Sequence, residues 1–416
     1  MSEAVLDPTR SHLFWCSQSV LVGLVIAGSV WSSQSIERGP RLPVFNDQPR
    51  TVRPTYDDVR VVSDAQLDTV LTKVRPSFAE RPTKVNYIDH AIRLWGPRVA
   101  FPDDSLSGRQ MLAMLLDHQT FTATWGSQVP PLLQRSSNGV DVMTQQGKST
   151  VSHVDHLMGT LAELGLPLSQ PIRTAEGKAR VGDILHHALV TFRLNQREYE
   201  WTTLAAAMYA VDGSAWVTRE GQQIDFDALA RRIMRQAQPE GVCYGQHRLY
   251  TLTMLLRIDD QMQTESPARL LLSESARQDV HAYLVGMTRQ FFQSQSAEGY
   301  WDGNWADTSR EVPDPQTDPV SRRILATGHV LEWWAMAPVD LHPPRETIVR
   351  GAQWLARTIG EMDARDIESN YTFLTHAARS LALWRGGFAE DFVHADTSAS
   401  APQVDDVSAL VPSTKH

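Results

Sequence analysis

Histidine, cysteine and carboxylate residues gather at a few places in this 416-residue sequence, and their spacing admits three kinds of chemistry. His329 and Glu332 stand at i and i+3, on one helix face. An imidazole oriented by a carboxylate works as an acid or base near neutral pH. The plain alternative is a pair that satisfies itself between packed helices. Ser152-His153-Val154-Asp155-His156 sets two histidines at i and i+3, a spacing that suits a metal ion. No third ligand is adjacent in sequence, although Cys243, Glu200 or His247 could arrive through the fold. A capped helix start with one exposed histidine explains the stretch equally simply, so we assign no metal and no cofactor. Cys243 and His247 stand at i and i+4, the arrangement of a thiol activated by an imidazole. A buried structural thiol is the commoner case. In the same stretch Tyr244, His247 and Arg248 are candidates to line a pocket. Glu200 and Trp201 follow Glu198 and Tyr199 at a helix start, where acidic residues also simply favour the helix dipole. Trp201, Trp301, Trp305 and Trp333 offer flat faces to a sugar ring or an apolar chain, or else wedge helices together.

These residues need elements to hold them, and helical periodicity dominates the chain. We find no convincing run of alternating β-branched residues. The helices pair: 64–74 with 87–95, 108–118 with 151–164, 181–194 with 199–211, 226–236 with 244–258, 274–293 with 327–337, and 345–362 with 371–384. Most second helices follow one another at about 45 residues, which reads as a helical-hairpin repeat. The longer intervals hold loops around 128–149 and 297–323. The second helices are small and apolar (Thr203 to Val211, Ala377 to Trp384) and look buried all round. The first helices carry more charge and look amphipathic. An inner ring of six buried helices inside an outer ring of six amphipathic ones is an (α/α)6 toroid. Pocket residues then come from the inner-helix starts: Asn86, Asp89 and His90; His153, Asp155 and His156; Glu200 and Trp201; Cys243, Tyr244, His247 and Arg248; His329 and Glu332; Asn370, Tyr371 and His376. Histidine is only 14 of 416 residues, so its recurrence on five of these six helices is more than even scatter supplies.

Composition excludes other classes. Net charge is −9 with no basic run, which argues against nucleic acid. The sequence has no phosphate-binding P-loop, no dinucleotide glycine motif, no H-E-x-x-H and no C-x-x-C. Cys16 and Cys243 are the two cysteines, too few and too differently placed for a disulfide framework. Residues 13–31 carry no formal charge and are just long enough to span a bilayer. We read them as an uncleaved anchor, with a cleaved signal or a buried helix as alternatives. The expected organisation is a cytoplasmic or free N-terminus (1–12), an anchor or signal (13–31), a Pro-rich tether (32–60), an all-α toroid domain facing away from the cytoplasm (61–392) and a disordered tail (393–416).

Gln295, Gly299 and Trp301 spell Q-x-x-x-G-x-W, which resembles the repeat motif of triterpene cyclases, and Arg350 to Leu355 resembles its front half. The resemblance implies the α/α-toroid superfamily of squalene cyclases and protein prenyltransferases. Their functional motifs do not transfer: Asp103-Asp104 and Asp259-Asp260 do not fit the Asp-rich cyclase acid, and Gly241 stands where a prenyltransferase zinc site needs Asp before Cys243. Gly328 to Trp333 is similar to the G-H-x-x-E-W stretch of N-acylglucosamine 2-epimerase-type barrels, which implies an acid/base role for His329.

The sequence therefore leads us to expect a membrane-tethered toroid acting on a carbohydrate or other polar substrate. His329, Glu332 and His247 would be catalytic, and His156, Asp155, Glu200, Trp201, Tyr244, Arg248, Trp301 and Trp305 would bind substrate. The alternatives are a non-catalytic toroid that holds a peptide or protein, and a cyclase-like enzyme on an isoprenoid.

Overall fold

The computed structural model describes residues 18–20, 22–23, 40–79, 83–266 and 268–393. These residues are mostly helical. In chain order the α-helices are α1 (Asp64–Lys73), α2 (Val85–Trp95), α3 (Gly108–Leu116), α4 (His118–Trp125), α5 (His156–Glu163), α6 (Val181–Thr191) and α7 (Glu200–Tyr209). They continue with α8 (Phe226–Met234), α9 (Gln246–Glu265), α10 (Glu274–Ser294), α11 (Pro319–Met336), α12 (Arg345–Glu361), α13 (Ala364–Ser369) and α14 (Tyr371–Leu383).

Local sequence starts these helices where they start. Ser63 and Ser107 form capping boxes with Gln66 and Gln110 at the heads of α1 and α3. Asp225, Ser273 and Asp318 accept backbone N–H bonds at α8, α10 and α11, and Pro319 sits in the first turn of α11, where its missing N–H costs nothing. A cap-to-Ala loss at any of them costs about 1 kcal/mol.

The expected division between buried and amphipathic helices holds. Every residue of α7 is buried, and α2 and α5 are buried on nearly all sides. By contrast α1 buries only Leu67, Val70 and Leu71, and α8 buries Phe226, Leu229, Ala230 and Ile233. The buried helices pack in sequence order, α2 on α5, α5 on α7, α7 on α9, α9 on α11 and α11 on α14, and α14 packs back on α2. The amphipathic helices lie against these: α3 on α2, α6 on α7, α10 on α9, α12 on α11, and α1 across α12 and α14. The tightest approach is between α11 and α14. At Gly328 an added Cβ would stand 2.9 Å from Ala377 N and 3.0 Å from its Cα, so only glycine lets these two backbones come this close.

Three expectations are corrected. Helix α11 begins at Pro319, not Thr327, because Asp318 caps it there; His329 therefore lies mid-helix rather than at a helix start. The stretch 151–155 is not helical: Asp155 adopts a left-handed conformation (φ 56°) and α5 begins at His156. The regions read as plain loops also hold antiparallel two-stranded hairpins, β1 (Leu133–Ser136) with β2 (Gly139–Val142), β3 (Pro171–Thr174) with β4 (Gly177–Arg180), and β5 (Trp216–Val217) with β6 (Gln223–Ile224). Strands of two to four residues are too short to show alternation, and the first is held by packing of β2 on α6.

Residues 40–58 of the expected tether run over the helical body. Arg41 pairs with Val217, Asn46 N donates to Tyr209 O (2.8 Å), and Tyr56 OH donates to Ala337 O (2.7 Å). No helix among the described residues is long and apolar enough to cross a membrane. Most of the expected anchor at 13–31, and the tail from 394, lie outside the described residues.

Candidate histidine and cysteine centre

Six imidazoles meet at the middle of the packed helices. His90 comes from α2, His153 from the turn before α5, His156 from the first residue of α5, His247 from the second residue of α9, His329 from the middle of α11 and His376 from α14. All six are buried. Their rings form one continuous cluster. Centroid separations are 4.5 Å for His90 and His156, 5.0 Å for His153 and His247, 4.8 Å for His247 and His329, 4.0 Å for His329 and His376, and 5.3 Å for His90 and His376. Trp201 closes one side, edge-on to His156 (4.5 Å) and His247 (5.1 Å).

Acceptors fix several of these rings through Nδ1. His156 Nδ1 lies 2.6 Å from Asp89 Oδ2, His90 Nδ1 lies 2.9 Å from Asn86 O, and His376 Nδ1 lies 3.2 Å from Glu332 Oε2. A carbonyl or carboxylate oxygen only accepts, so on His156 and His90 Nδ1 carries the proton and the lone pair belongs to Nε2, whereas His376 Nδ1 also faces the donor Arg93 Nη1 at 3.4 Å. His329 Nδ1 stands 3.3 Å from the same Glu332 oxygen. The Nε2 atoms of His156, His247 and His329 are buried without any hydrogen-bond partner, and so is His153 Nδ1, which contacts Glu198 at 3.4 Å without hydrogen-bond alignment. Leaving a buried polar atom unsatisfied costs about 1–3 kcal/mol.

Next to the imidazoles lies a closed ring of four charges. Arg93 Nε bonds Glu163 (2.7 Å) and Arg93 Nη1 bonds Glu332 (2.8 Å); Arg379 Nη1 bonds Glu332 (2.6 Å) and Arg379 Nη2 bonds Glu163 (2.9 Å). Tyr250 OH donates to Glu163, and the Arg93 guanidinium lies 4.8 Å from the Trp201 ring centroid. Two arginines against two glutamates leave the ring neutral, which is how four charges persist in a buried layer.

The electrostatics favour the neutral form of five of the imidazoles. Burial first, then neighbouring rings, pushes His90, His156, His247 and His376 well below the ordinary histidine value. His329 is lowered by burial against the opposing pull of Glu332. Burial would raise Glu332, but Arg93 and Arg379 outweigh it and hold the carboxyl well below its usual range. Burial pushes Asp89 up to about 6. Cys243 is raised by burial and by the nearby carboxylates, led by Glu198.

The cysteine reaches this centre through a costly turn. Cys243 (φ 50°) and Tyr244 (φ 55°) are consecutive non-glycine residues in the left-handed region, flanked by Gly241 (φ 101°) and Gly245 (φ 74°). Each such residue costs of order 1 kcal/mol or more. The turn is held from outside, where Trp305 Nε1 donates to Tyr244 O (3.1 Å).

Among the described residues three groups bring potential metal-ligand atoms within 4.8 Å of one another: His153, Cys243 and His247; His247, His329 and His376; and Asp89, His90 and His156. For an equilateral triangle with that 4.8 Å edge the centre is about 2.8 Å from each atom (4.8/√3). Zn–N and Zn–S bonds of about 2.0–2.3 Å need only a further half-ångström or so of closure.

The sequence-expected site residues divide. His156, His247, His329 and Trp201 belong to the cluster. Glu332 is fully engaged with Arg93, Arg379 and His376, which makes it an orienting carboxylate rather than a free base. Glu200 and Arg248 bond each other (3.1 Å), and Arg248 also donates to Ala237 O (3.0 Å). Asp155 accepts from Thr202 at its turn, and burial pushes its carboxyl up to about 6. Tyr244 has its ring against Gly303, beneath the loop after Trp301. Trp301 and Trp305 are core residues: Trp301 Nε1 donates to Phe291 O (2.8 Å), and Trp305 stacks on Phe291 at 4.0 Å. They build no open aromatic wall. Sequence reasoning missed Arg93, Glu163, Tyr250 and Arg379. A signal was present: His90 with Arg93 and His376 with Arg379 repeat H-x-x-R on two helices, and a charge on a helix buried on nearly all sides needs a partner. Comparisons with protein families, characterised proteins and solved structures gave no match.

Proposed function

We propose that the chain is an (α/α)6 toroid whose imidazole layer is a transition-metal centre. The observation that carries this reading is the set of unpartnered, buried ring nitrogens, two of them on imidazoles whose other nitrogen faces a carboxylate: His156, 2.6 Å from Asp89, and His329, 3.3 Å from Glu332. A carboxylate on the far ring nitrogen fixes tautomer and orientation in metal-binding histidines. Neutral imidazoles are also the form that binds metal. The toroid part of the reading is supported by the closed order of packing from α2 round to α14 and back. It puts the ligands where inner helices converge, and makes the arginine–glutamate ring the layer that stiffens them. In this reading the domain hangs from residues 13–31 as an anchored, extracytoplasmic body.

The test is elemental analysis of purified protein, followed by chelation and re-addition of first-row divalent ions. At least one ion per chain is expected. Saturating metal at about 100 times its Kd would stabilise the fold by roughly 2.7 kcal/mol. Protein that stays free of metal and gains no stability from zinc, cobalt, copper, nickel, iron or manganese would rule the centre out.

A second reading keeps the centre as an acid–base site for a carbohydrate or other polar substrate. It is favoured by the 3.3 Å contact of His329 with Glu332. There His329 is the acid or base and Glu332 orients it. The two readings part on His329→Gln: loss of turnover with full retention of metal stability supports the second.

A further inference from the structure

We infer that Cys243 is a thiolate ligand and that, with His153 and His247, it forms a site for a cation of the zinc or cobalt type. This rests on the metal reading above and sharpens it. The three residues form one group whose potential ligand atoms all lie within 4.8 Å. Two of them bring an unpartnered buried nitrogen, His247 Nε2 and His153 Nδ1. His247 also belongs to the group with His329 and His376, so the two groups share it. The thiol decides which set takes a soft or borderline ion, since thiolate with imidazole selects zinc, cobalt or copper over magnesium or calcium.

The backbone supports the assignment. Residues 241–245 hold four positive-φ residues, two of them the non-glycine pair Cys243 and Tyr244. Neither flanking glycine tolerates a side chain without movement: a Cβ at Gly245 would meet Gln238, and one at Gly241 would meet Arg248. The turn is pinned from the far side by Trp305 on Tyr244 O and by Gly303 against the Tyr244 ring. The chain thus spends unfavourable backbone to bring Cys243 beside two histidines. Binding a divalent cation replaces the S–H bond with an S–metal bond and releases one proton, with no change of oxidation state.

The experiment uses the reduced, full-length chain carrying Cys16→Ser, so that Cys243 is the remaining thiol. Cobalt(II) is added after chelator treatment and the spectrum is recorded. A sulfur-to-cobalt charge-transfer band in the near ultraviolet is expected without any change to the core. Cys243→Ser should abolish that band, and His153→Gln should weaken cobalt binding about tenfold or more. Cobalt bound without the charge-transfer band overturns the thiolate site and leaves a histidine-only centre standing. Failure of the chain to bind any cobalt, with zinc and copper equally without effect, overturns both readings.

Discussion

Glu332 gives the sharpest test of the buried charge ring. Its carboxylate takes one hydrogen bond from Arg93 (2.8 Å) and one from Arg379 (2.6 Å), and all three side chains are under 5 % exposed. Glu332→Gln keeps the shape and removes the charge, leaving two buried guanidiniums against Glu163 alone. Breaking a buried pair costs about 3–5 kcal/mol, and a carboxylate that serves two arginines belongs at the upper end. Glu332→Gln combined with Arg379→Met restores one arginine against one glutamate. That double variant should be more stable than the sum of the single losses by about 2 kcal/mol, within the range of coupling between contacting residues. The assay is urea unfolding in the presence of a chelator, so that bound metal does not add to the comparison. With an m-value of about 3 kcal/mol/M or more, a 4 kcal/mol loss moves the midpoint by roughly 1 M. A loss below about 1 kcal/mol for Glu332→Gln, or strict additivity in the double variant, would refute the idea that the ring is held by mutual compensation.

Two further outcomes are expected. Gly328→Ala puts a Cβ against the Ala377 backbone and must push α11 from α14, costing about 1–3 kcal/mol; it also parts His329 from His376, so metal stabilisation should fall with it, as thermal melts with and without zinc would show. Glu163 is depressed: burial opposes its charge, but Arg379 and Arg93 overcome that, so its folded value lies below the unfolded value of about 4.3. Its stabilisation is present above that unfolded value and is lost as pH falls through the folded one. Glu163→Gln should therefore be less stable at pH 7 and show a flatter acid limb in melts from pH 7 down to 3.

The helical class and the division into buried and amphipathic helices could be read from residue type alone, because a 3.6-residue period and a one-sided charge pattern are local properties. The stretches 203–211 and 377–384 read as buried, and 203–210 and 377–384 are buried, with Val211 half-buried where the chain leaves α7. The start of α11 was misplaced because Asp318 and Pro319 lie in a stretch of prolines and aspartates that looks like loop throughout. Trp301 and Trp305 could be listed but not assigned, since an indole looks the same in sequence whether it lines a pocket or stacks on Phe291.

The sequence by itself determined that histidines would recur on the buried helices. It did not determine that they would meet. His153 and His156 show two histidines at close spacing, and the others stand about 60 to 220 residues away; no local rule connects them. Tertiary packing decided that, because helices packed side by side bring residues distant in sequence into one cluster. It also decided the charge ring. Arg93, Glu163, Glu332 and Arg379 are each an isolated charge in sequence, and only the fold makes each one the reason another can be buried.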